Sequence, residues 1–300
     1  MSEKRDLPKI AAIVVTYNRK ELLSKCIEAL LKQENALCDV IIWDNASTDG
    51  TDQIGAIRYR RVRYLRSKEN KGCTYGITES IKVAYSVGYE AVWILDDDME
   101  PNSLALFELV KAANVLDRWG CLSSCVYWTD GTICNSNRQK KGIFTFVQDE
   151  EYKRKSIIPV KMVSWGSMFL NLSAVKEVGL PISEFFIYTD DYEISNRVGK
   201  KYGVYVVTAS AVKHYMPINK KTDLSKASSE RIMRYHYLFR NDVSFYRQQG
   251  IKGWVYLIAK FVYTSAKVMM NADNKIERLR ILIKGYRDGL HFKPNIEFLT

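Results

Sequence analysis

The sequence predicts an α/β protein, an open and mostly parallel sheet with helices on its faces, followed by a helical, basic region. Three observations predict it. Short continuous apolar runs alternate with helically spaced segments over the first two-thirds of the chain. Turn-rich or acidic clusters follow those runs, at what would be the carboxyl ends of strands, where ligands bind in such sheets. The charge then changes character: residues 1–200 hold 27 Lys/Arg and 27 Asp/Glu, whereas residues 201–300 hold 18 and 7, so the whole excess of +11 lies in the last third.

Ile10-Ala-Ala-Ile-Val-Val-Thr16 is apolar throughout and short enough for a buried parallel strand. Residues 19–32 carry Leu22, Leu23, Cys26, Ile27, Leu30 and Leu31 at helical spacing. Val40-Ile-Ile-Trp43 is a second buried strand, ended by the turn sequence Asp44-Asn-Ala-Ser-Thr-Asp-Gly50. Val62-Arg-Tyr-Leu65 reads as a third strand and residues 77–87 as a helix. Ala91-Val-Trp-Ile-Leu95 is a fourth strand that runs into Asp96-Asp97-Asp98. Strand signals recur over residues 157–163, 167–172 and 204–208, with an acidic helix start at Asp190. From Lys220 the strand pattern stops. Pro217 and the polar stretch after Asn219 set an expected boundary, with residues 1–216 catalytic and 217–300 helical.

A chain of 300 residues can bury a large core, and 47% hydrophobic with 26% charged residues is ordinary for a folded protein. The six cysteines form no C-x-x-C pair and the region after Met1 has no apolar run, which predicts reduced thiols in the cytoplasm. No stretch suits a membrane span.

The chemistry concentrates at the strand ends. Three adjacent carboxylates repel one another and raise one another's pKa, a problem that a divalent cation removes. If strand geometry persists, Asp96 and Asp98 point one way and Asp97 the other. The competing reading is a solvated turn ahead of a helix near Asn102. Asp44 and Asn45 fit either a nucleotide contact or a plain turn, and no G-x-G-x-x-G loop is present. Asn70-Lys-Gly72 would lead into a helix, with Gly72 allowing close backbone approach to a ligand. Thr189 could cap a helix whose first turn carries Asp190, Asp191 and Glu193, or one of those acids could be a general base. His214 and Trp165-Gly-Ser167 are equally open between packing and function.

Val15-Thr-Tyr-Asn-Arg19, Trp43-Asp-Asn-Ala-Ser-Thr-Asp-Gly50, Asn70-Lys-Gly72, Leu95-Asp-Asp-Asp98 and Phe185-Phe-Ile-Tyr-Thr-Asp-Asp191 occur in the order seen in family-2 glycosyltransferases. Over residues 8–215 the chain resembles that family, whose fold is GT-A, a Rossmann-like nucleotide-diphospho-sugar transferase domain. Leu-Asp-Asp-Asp-Met-Glu-Pro-Asn-Ser is most similar to bacterial galactofuranosyltransferases, with rhamnosyltransferases close by. The resemblance implies an inverting transfer from a UDP-sugar, UDP-galactofuranose, to a glycan or lipid-linked glycan. It implies donor contacts from Thr16, Tyr17, Asn18 and Arg19, from Asp44 and Asn45, and from Asn70, Gly72 and Asp97. Asp96, Asp98 and His214 would hold Mn²⁺ or Mg²⁺. Asp191 would be the base, and Asp190, Trp165 and Gly166 would meet the acceptor. The large flanking domains of polymerising galactofuranosyltransferases have no room here. Alternatives are a rhamnosyltransferase using dTDP-rhamnose and a metal-dependent nucleotidyltransferase.

The basic tail has its own reading. Lys252, Lys260 and Lys267 fall near one face of a helix otherwise populated by Trp254, Leu257, Ile258, Phe261, Val262 and Val268. That composition suits a helix in the interface of an anionic membrane, at its cytoplasmic face, or a helix merely packed on the catalytic domain. A nucleic-acid partner is not expected, because the strand-end acids would repel phosphates.

Overall fold

The apolar runs beginning at Ile10, Val40 and Ala91 become strands buried on both faces, while the run at 62–65 forms a half-exposed edge strand. The computed structural model describes residues 9–154 and 156–300; the stretch after Met1 that lacks an apolar run lies outside the described residues up to position 8. In chain order it forms β1 (Ile10–Thr16), α1 (Lys20–Leu31), β2 (Asp39–Asp44), β3 (Val62–Arg66), α2 (Cys73–Ser86) and β4 (Ala91–Asp96). Then come β5 (Met99–Pro101), α3 (Ala105–Val115), β6 (Trp119–Trp128), α4 (Asp149–Tyr152), β7 (Ile157–Pro159) and β8 (Met168–Asn171). The chain continues with α5 (Leu172–Val178), α6 (Asp190–Val198) and β9 (Gly203–His214), and finishes in α7 (Ser229–Ile232), α8 (Arg234–Tyr246), α9 (Gly250–Asn271) and α10 (Lys275–His291).

The strands make one mixed sheet in the order β3-β2-β1-β4-β8-β6-β9-β5, with β7 also on β9. The β1–β2, β2–β3 and β1–β4 pairs are parallel, and register places Thr16 beside Asp44 and Val15 beside Asp96. The chain order therefore reverses at β1, and the three sequence clusters meet at one carboxyl edge. Alternate residues of β1 feed the two faces: Ala12 and Val14 pack with α1 and α3, Ala11 and Ile13 with α2 and α5.

The second half differs from the sequence reading. The strand expected over 157–163 stops at Pro159, which cannot donate to a ladder. The strand expected over 204–208 runs to His214, so that histidine is the last residue of a strand and not a residue beyond one. β6 gave no recognisable apolar run because Ser123 and Ser124 interrupt it. Both are buried, and Ser124 Oγ lies 2.7 Å from the hydroxyls of Ser167 and Ser210.

The C-terminal helices pack on the sheet domain and on one another. Gly285 and Gly289 let α10 approach α8, since a Cβ at either would fall within 2.7 Å of Phe239 Cβ or Val243 Cβ. Leu180 N–H donates to Glu297 O at 2.7 Å, tying the chain end back to the loop before α6. The expected lysine face of α9 does not form. Lys260 pairs inward with Asp242, and Lys267 with Asp223 at 2.6 Å, leaving only Lys252 exposed. The reason is electrostatic: each acid is partly or fully buried and draws a cation.

Candidate active site

β4 ends at Asp96, and Asp97 and Asp98 lie in the turn before β5. Strand alternation therefore does not carry through the acidic run. Asp97 and Asp98 both accept from Arg19 Nη1, at 3.1 and 2.6 Å, and Thr16 Oγ1 donates to Asp97 Oδ2 at 2.8 Å. Burial, with Asp98 as the next cause, pushes Asp96 up to about 7. Burial also raises Asp97, to about 6, against the opposing pull of Arg19. Asp98 is the exception: burial acts upward, but His214 and Arg19 outweigh it and hold its carboxyl low.

His214 is brought to this cluster by the β5–β9 pairing, which sets Met99 beside it. Its Nε2 lies 3.1 Å from Asp98 Oδ1, a buried oxygen with no other polar partner among the described residues. Asn137 Oδ1 sits 2.8 Å from His214 Nδ1, which fixes the proton on Nδ1 and turns Nε2 toward the acids. Burial opposes a charged ring, but Asp98 and Cys134 raise its pKa to about 10. An orphaned carboxylate oxygen, an imidazole nitrogen aimed at it and a third acid pushed up to about 7 are a donor set that a hard divalent cation fits. As arranged, the three side chains do not form a closed metal cluster.

At the end of β2, the neighbours of Asp44 take up its carboxylate. It is fully buried, accepting from Ser47 N–H at 2.8 Å and from Tyr64 Oη, with Arg66 Nε at 3.8 Å. Asn45 bridges Trp43 Nε1 and Gly72 O, at 3.2 and 3.1 Å. Asn18, at φ 56, accepts from Thr48 N–H, and Tyr17 is exposed at the end of β1. Asn70 is exposed, and its Oδ1 receives Gly72 N–H. Gly72 does permit a close approach, but to the chain itself: at φ +92 its missing Cβ would lie 2.5 Å from Phe186 O. The expectation of a ligand at that spot gives way to the loop that carries the second acidic pair.

That loop is strained. Phe186, Tyr188 and Thr189 all have φ between 66 and 70°, where side chains other than glycine are uncommon. Thr189 does not cap α6 through its side chain as the sequence suggested, because its hydroxyl donates instead to Asp242 at 2.7 Å. Asn241, fully buried in α8, supplies the remaining bracket. Its amide hydrogens are shared among the carbonyls of Phe185, Ile187 and Tyr188 at 2.9–3.0 Å. The sequence reading missed both residues, though an Asn-Asp pair inside a basic, aromatic helix was a signal.

The strained loop delivers Asp190 and Asp191 to different surroundings. Asp190 is 2% exposed, and one oxygen accepts from Thr74 Oγ1 at 2.6 Å and Trp165 Nε1 at 2.8 Å. Trp165 and Gly166 are thereby held as buried wall, Gly166 against Asn137 and Met99. Asp191 accepts only from Tyr192 N–H, at 2.8 Å, leaving one oxygen without a protein partner among the described residues. Burial first, then the Asp190 charge, pushes its pKa well up.

Asp96, Asp190, Asp191, His214 and Trp165 line a cavity of about 770 Å³. Tyr246, Tyr256, Lys260, Tyr263 and Lys267 of the C-terminal helices, and Lys140, line the same cavity. Lys140 is another residue the sequence did not single out. Burial depresses its pKa to about 8, and it donates to Tyr246 Oη at 2.9 Å inside a cage of aromatic rings.

Comparison with known proteins bears on what this edge of the sheet is for. The family described as Glycosyl transferase family 2 matches residues 11–179, more than half the chain. The chain belongs to that family. Its match spans the strand ends at Thr16, Asp44 and Asp96, and stops short of Asp190 and His214. Membership sets aside the nucleotidyltransferase alternative: the protein is a glycosyltransferase.

The N-acetylglucosaminyl-diphospho-decaprenol L-rhamnosyltransferase of Mycobacterium tuberculosis is 25% identical over 232 residues, 68% of this chain and 76% of that protein. Galactofuranosyltransferase GlfT1 of Mycolicibacterium smegmatis is 21% identical over 203 residues, 63% of this chain and 65% of that protein. Among solved structures, GalNAc-T7 with UDP, GalNAc and Mn²⁺ superposes with a TM-score of 0.64 at 14% identity, over 96% of this chain and 57% of that one. The mannosyltransferase PcManGT of Pyrobaculum calidifontis, with GDP-Man and Mn²⁺, gives 0.53 at 14% identity, covering 95% and 73%. These likenesses establish the GT-A fold, with the helical region α7–α10 after it.

The family-2 site makes the bracket on residues 185–189 testable. Replacing Asn241 with Leu, similar in shape, removes the side-chain donor from the carbonyls of Ile187 and Tyr188, while Phe185 O keeps Ile187 N–H. The expected loss is about 1–3 kcal/mol of stability on urea unfolding, together with reduced glycosyl transfer. An Asn241→Leu protein with parental stability and transfer would remove the bracket from the argument.

Proposed function

We propose that the protein is an inverting, metal-dependent sugar-nucleotide glycosyltransferase with Asp191 as its base. The observation that carries this reading is the shared cavity: Asp191, with one oxygen unpartnered among the described residues, lines it together with Asp96 and His214, and His214 Nε2 lies 3.1 Å from Asp98. Asp96, Asp98 and His214 are the residues suited to hold Mn²⁺ or Mg²⁺. A bound ion would neutralise the leaving diphosphate. The residues of the chain supply the rest. Asp191 accepts the proton of the acceptor hydroxyl as that oxygen attacks the anomeric carbon from the face opposite the diphosphate. One bond forms as the other breaks, the proton stays on Asp191 and the configuration inverts.

In this reading Thr16, Tyr17, Asn18 and Arg19, with Asp44, Asn45, Asn70 and Asp97, bind the nucleotide diphosphate. Arg19, already drawn to Asp97 and Asp98, is placed to follow the diphosphate charge. Asp190, Trp165 and Gly166 shape the acceptor side, and residues 217–300 close it. The donor is UDP-galactofuranose, a choice that rests on the acidic run 96–98 and His214. A second donor, dTDP-rhamnose, is favoured by the more extensive match to the rhamnosyltransferase relative. The names of both relatives and the lysines and tyrosines of the cavity support a glycan acceptor linked to a lipid diphosphate, met at the cytoplasmic face of a membrane.

Incubation with a panel of nucleotide sugars, with Mn²⁺ or Mg²⁺, tests the reading through donor hydrolysis. Proton NMR of the transferred sugar then tests inversion. Turnover of UDP-galactofuranose above the other donors is expected; preference for dTDP-rhamnose selects the second donor, and a retained anomeric configuration overturns Asp191 as the base of a single displacement.

A further inference from the structure

The outward side of α9 is apolar along its length, and none of the described residues covers it. Ile251, Ile258, Val262 and Met270 are 83, 62, 60 and 71% exposed, and Val255 and Met269 also stand more than half exposed. At about 100° per residue these positions share one side of a 22-residue helix roughly 33 Å long. Trp254 and Tyr263, amphipathic rings suited to a water–lipid boundary, are exposed along the same helix. The neighbouring α10 exposes Ile276, Ile283 and Leu290, seven residues apart, and between them Arg280, Lys284 and Arg287. Contiguous apolar surface of this extent is rare on a protein that meets only water. No helix among the described residues is long and apolar enough to cross a membrane.

We infer that this face of α9 lies in the interface of an anionic bilayer, apolar residues inward and the cations of α10 at the headgroups. Charge decides the occupant. The last third of the chain carries the entire excess of +11, which attracts an anionic surface and repels a second copy presenting the same face. Position agrees. Lys260, Thr264 and Lys267 on the inner side of α9, with the exposed Tyr263 at its flank, line the cavity, so the helix is the wall between acceptor site and outer surface. An acceptor whose lipid stays in the bilayer has only a helix diameter, about 10 Å, to span before its sugar enters the cavity. The inference rests on the lipid-linked acceptor proposed above, and it revises which residues meet the membrane: the apolar stripe, with Lys252 alone of the three lysines first expected there.

The test uses the full chain with vesicles of phosphatidylglycerol and phosphatidylcholine, and with phosphatidylcholine alone. The parent protein is expected to sediment with the anionic vesicles, less so as salt rises. The triple variant Val255→Gln, Ile258→Gln, Val262→Gln should bind them roughly tenfold or more weakly, because each change removes apolar area from the contact. None of the three lines the cavity, so hydrolysis of free donor and the melting midpoint should match the parent. A parent protein that ignores anionic vesicles at low salt overturns the inference, as does a triple variant that binds them equally well. A parent dimer that the triple variant converts to monomer assigns the face to self-association instead. Donor hydrolysis is read separately, so failure of the glycosyltransferase reading leaves the vesicle result standing on its own.

Discussion

Asp191→Asn is expected to retain nucleotide and metal binding while transfer falls by roughly a hundredfold or more, the scale of a missing general base. The substitution keeps size and can keep the bond from Tyr192 N–H, so the strained loop should hold its shape. What it removes is the charge of the one carboxylate of the pair that receives no side-chain hydrogen bond among the described residues. Asp190→Asn is a different experiment, because its carboxylate holds Thr74 and Trp165, and the amide can keep only part of that. It should also remove the second-largest cause of the raised Asp191 pKa. A base must be ionised to act, so the rising limb of the pH–rate profile should move to lower pH in Asp190→Asn. Steady-state transfer across pH, with calorimetric titration of UDP and Mn²⁺, separates the two. If Asp190→Asn abolishes transfer and Asp191→Asn stays active, the roles are exchanged.

Much of the carboxyl edge of the sheet was legible because parallel strands bring clusters distant in sequence together. Thr16, Asp44 and Asp96 each end an apolar run, and the register of β1 with β2 and β4 does the rest. What lay beyond reading is mostly tertiary pairing. That His214 would face Asp98 was implied by the family resemblance alone, because the pairing depends on a three-residue strand, β5, too short to carry a pattern. The Asn137 contact to its ring comes from an irregular segment with no periodicity at all. Lys260 and Lys267 looked like an exposed face because spacing records angle around a helix, not which side is buried. Their partners, buried Asp242 and partly buried Asp223, turned them inward and left the apolar residues outside. Loop strain was equally hidden: Phe186, Tyr188 and Thr189 adopt positive φ because Asn241 and Asp242, more than fifty residues later, hold them there.

Asp96→Asn and Asp98→Ala are expected to abolish metal-dependent donor binding, each for a distinct reason. Asp96 is held at about 7 by burial and by Asp98, so its charged form is worse in the folded protein than in the unfolded chain. The asparagine removes that penalty, which acts above the unfolded pKa and is greatest where Asp96 is ionised in the fold. At pH 8 the metal-free variant should therefore melt no lower than the parent. Asp98 has the opposite sign: His214 and Arg19 favour its charge, and that stabilisation is lost as pH falls through its lowered pKa. Asp98→Ala should cost some stability at pH 8 and free Arg19 to pair with Asp97 alone. In the parent, Mn²⁺ with UDP should raise the melting midpoint, because a ligand that binds only the folded state stabilises it by mass action. Neither variant should respond, although both remain folded. The opposite signs at a single pH tie the lost response to the carboxylates as ligands, since general damage would lower both midpoints. Full transfer by the parent in EDTA, or an undiminished Mn²⁺ response in both variants, would show that these carboxylates serve the fold and not a cation.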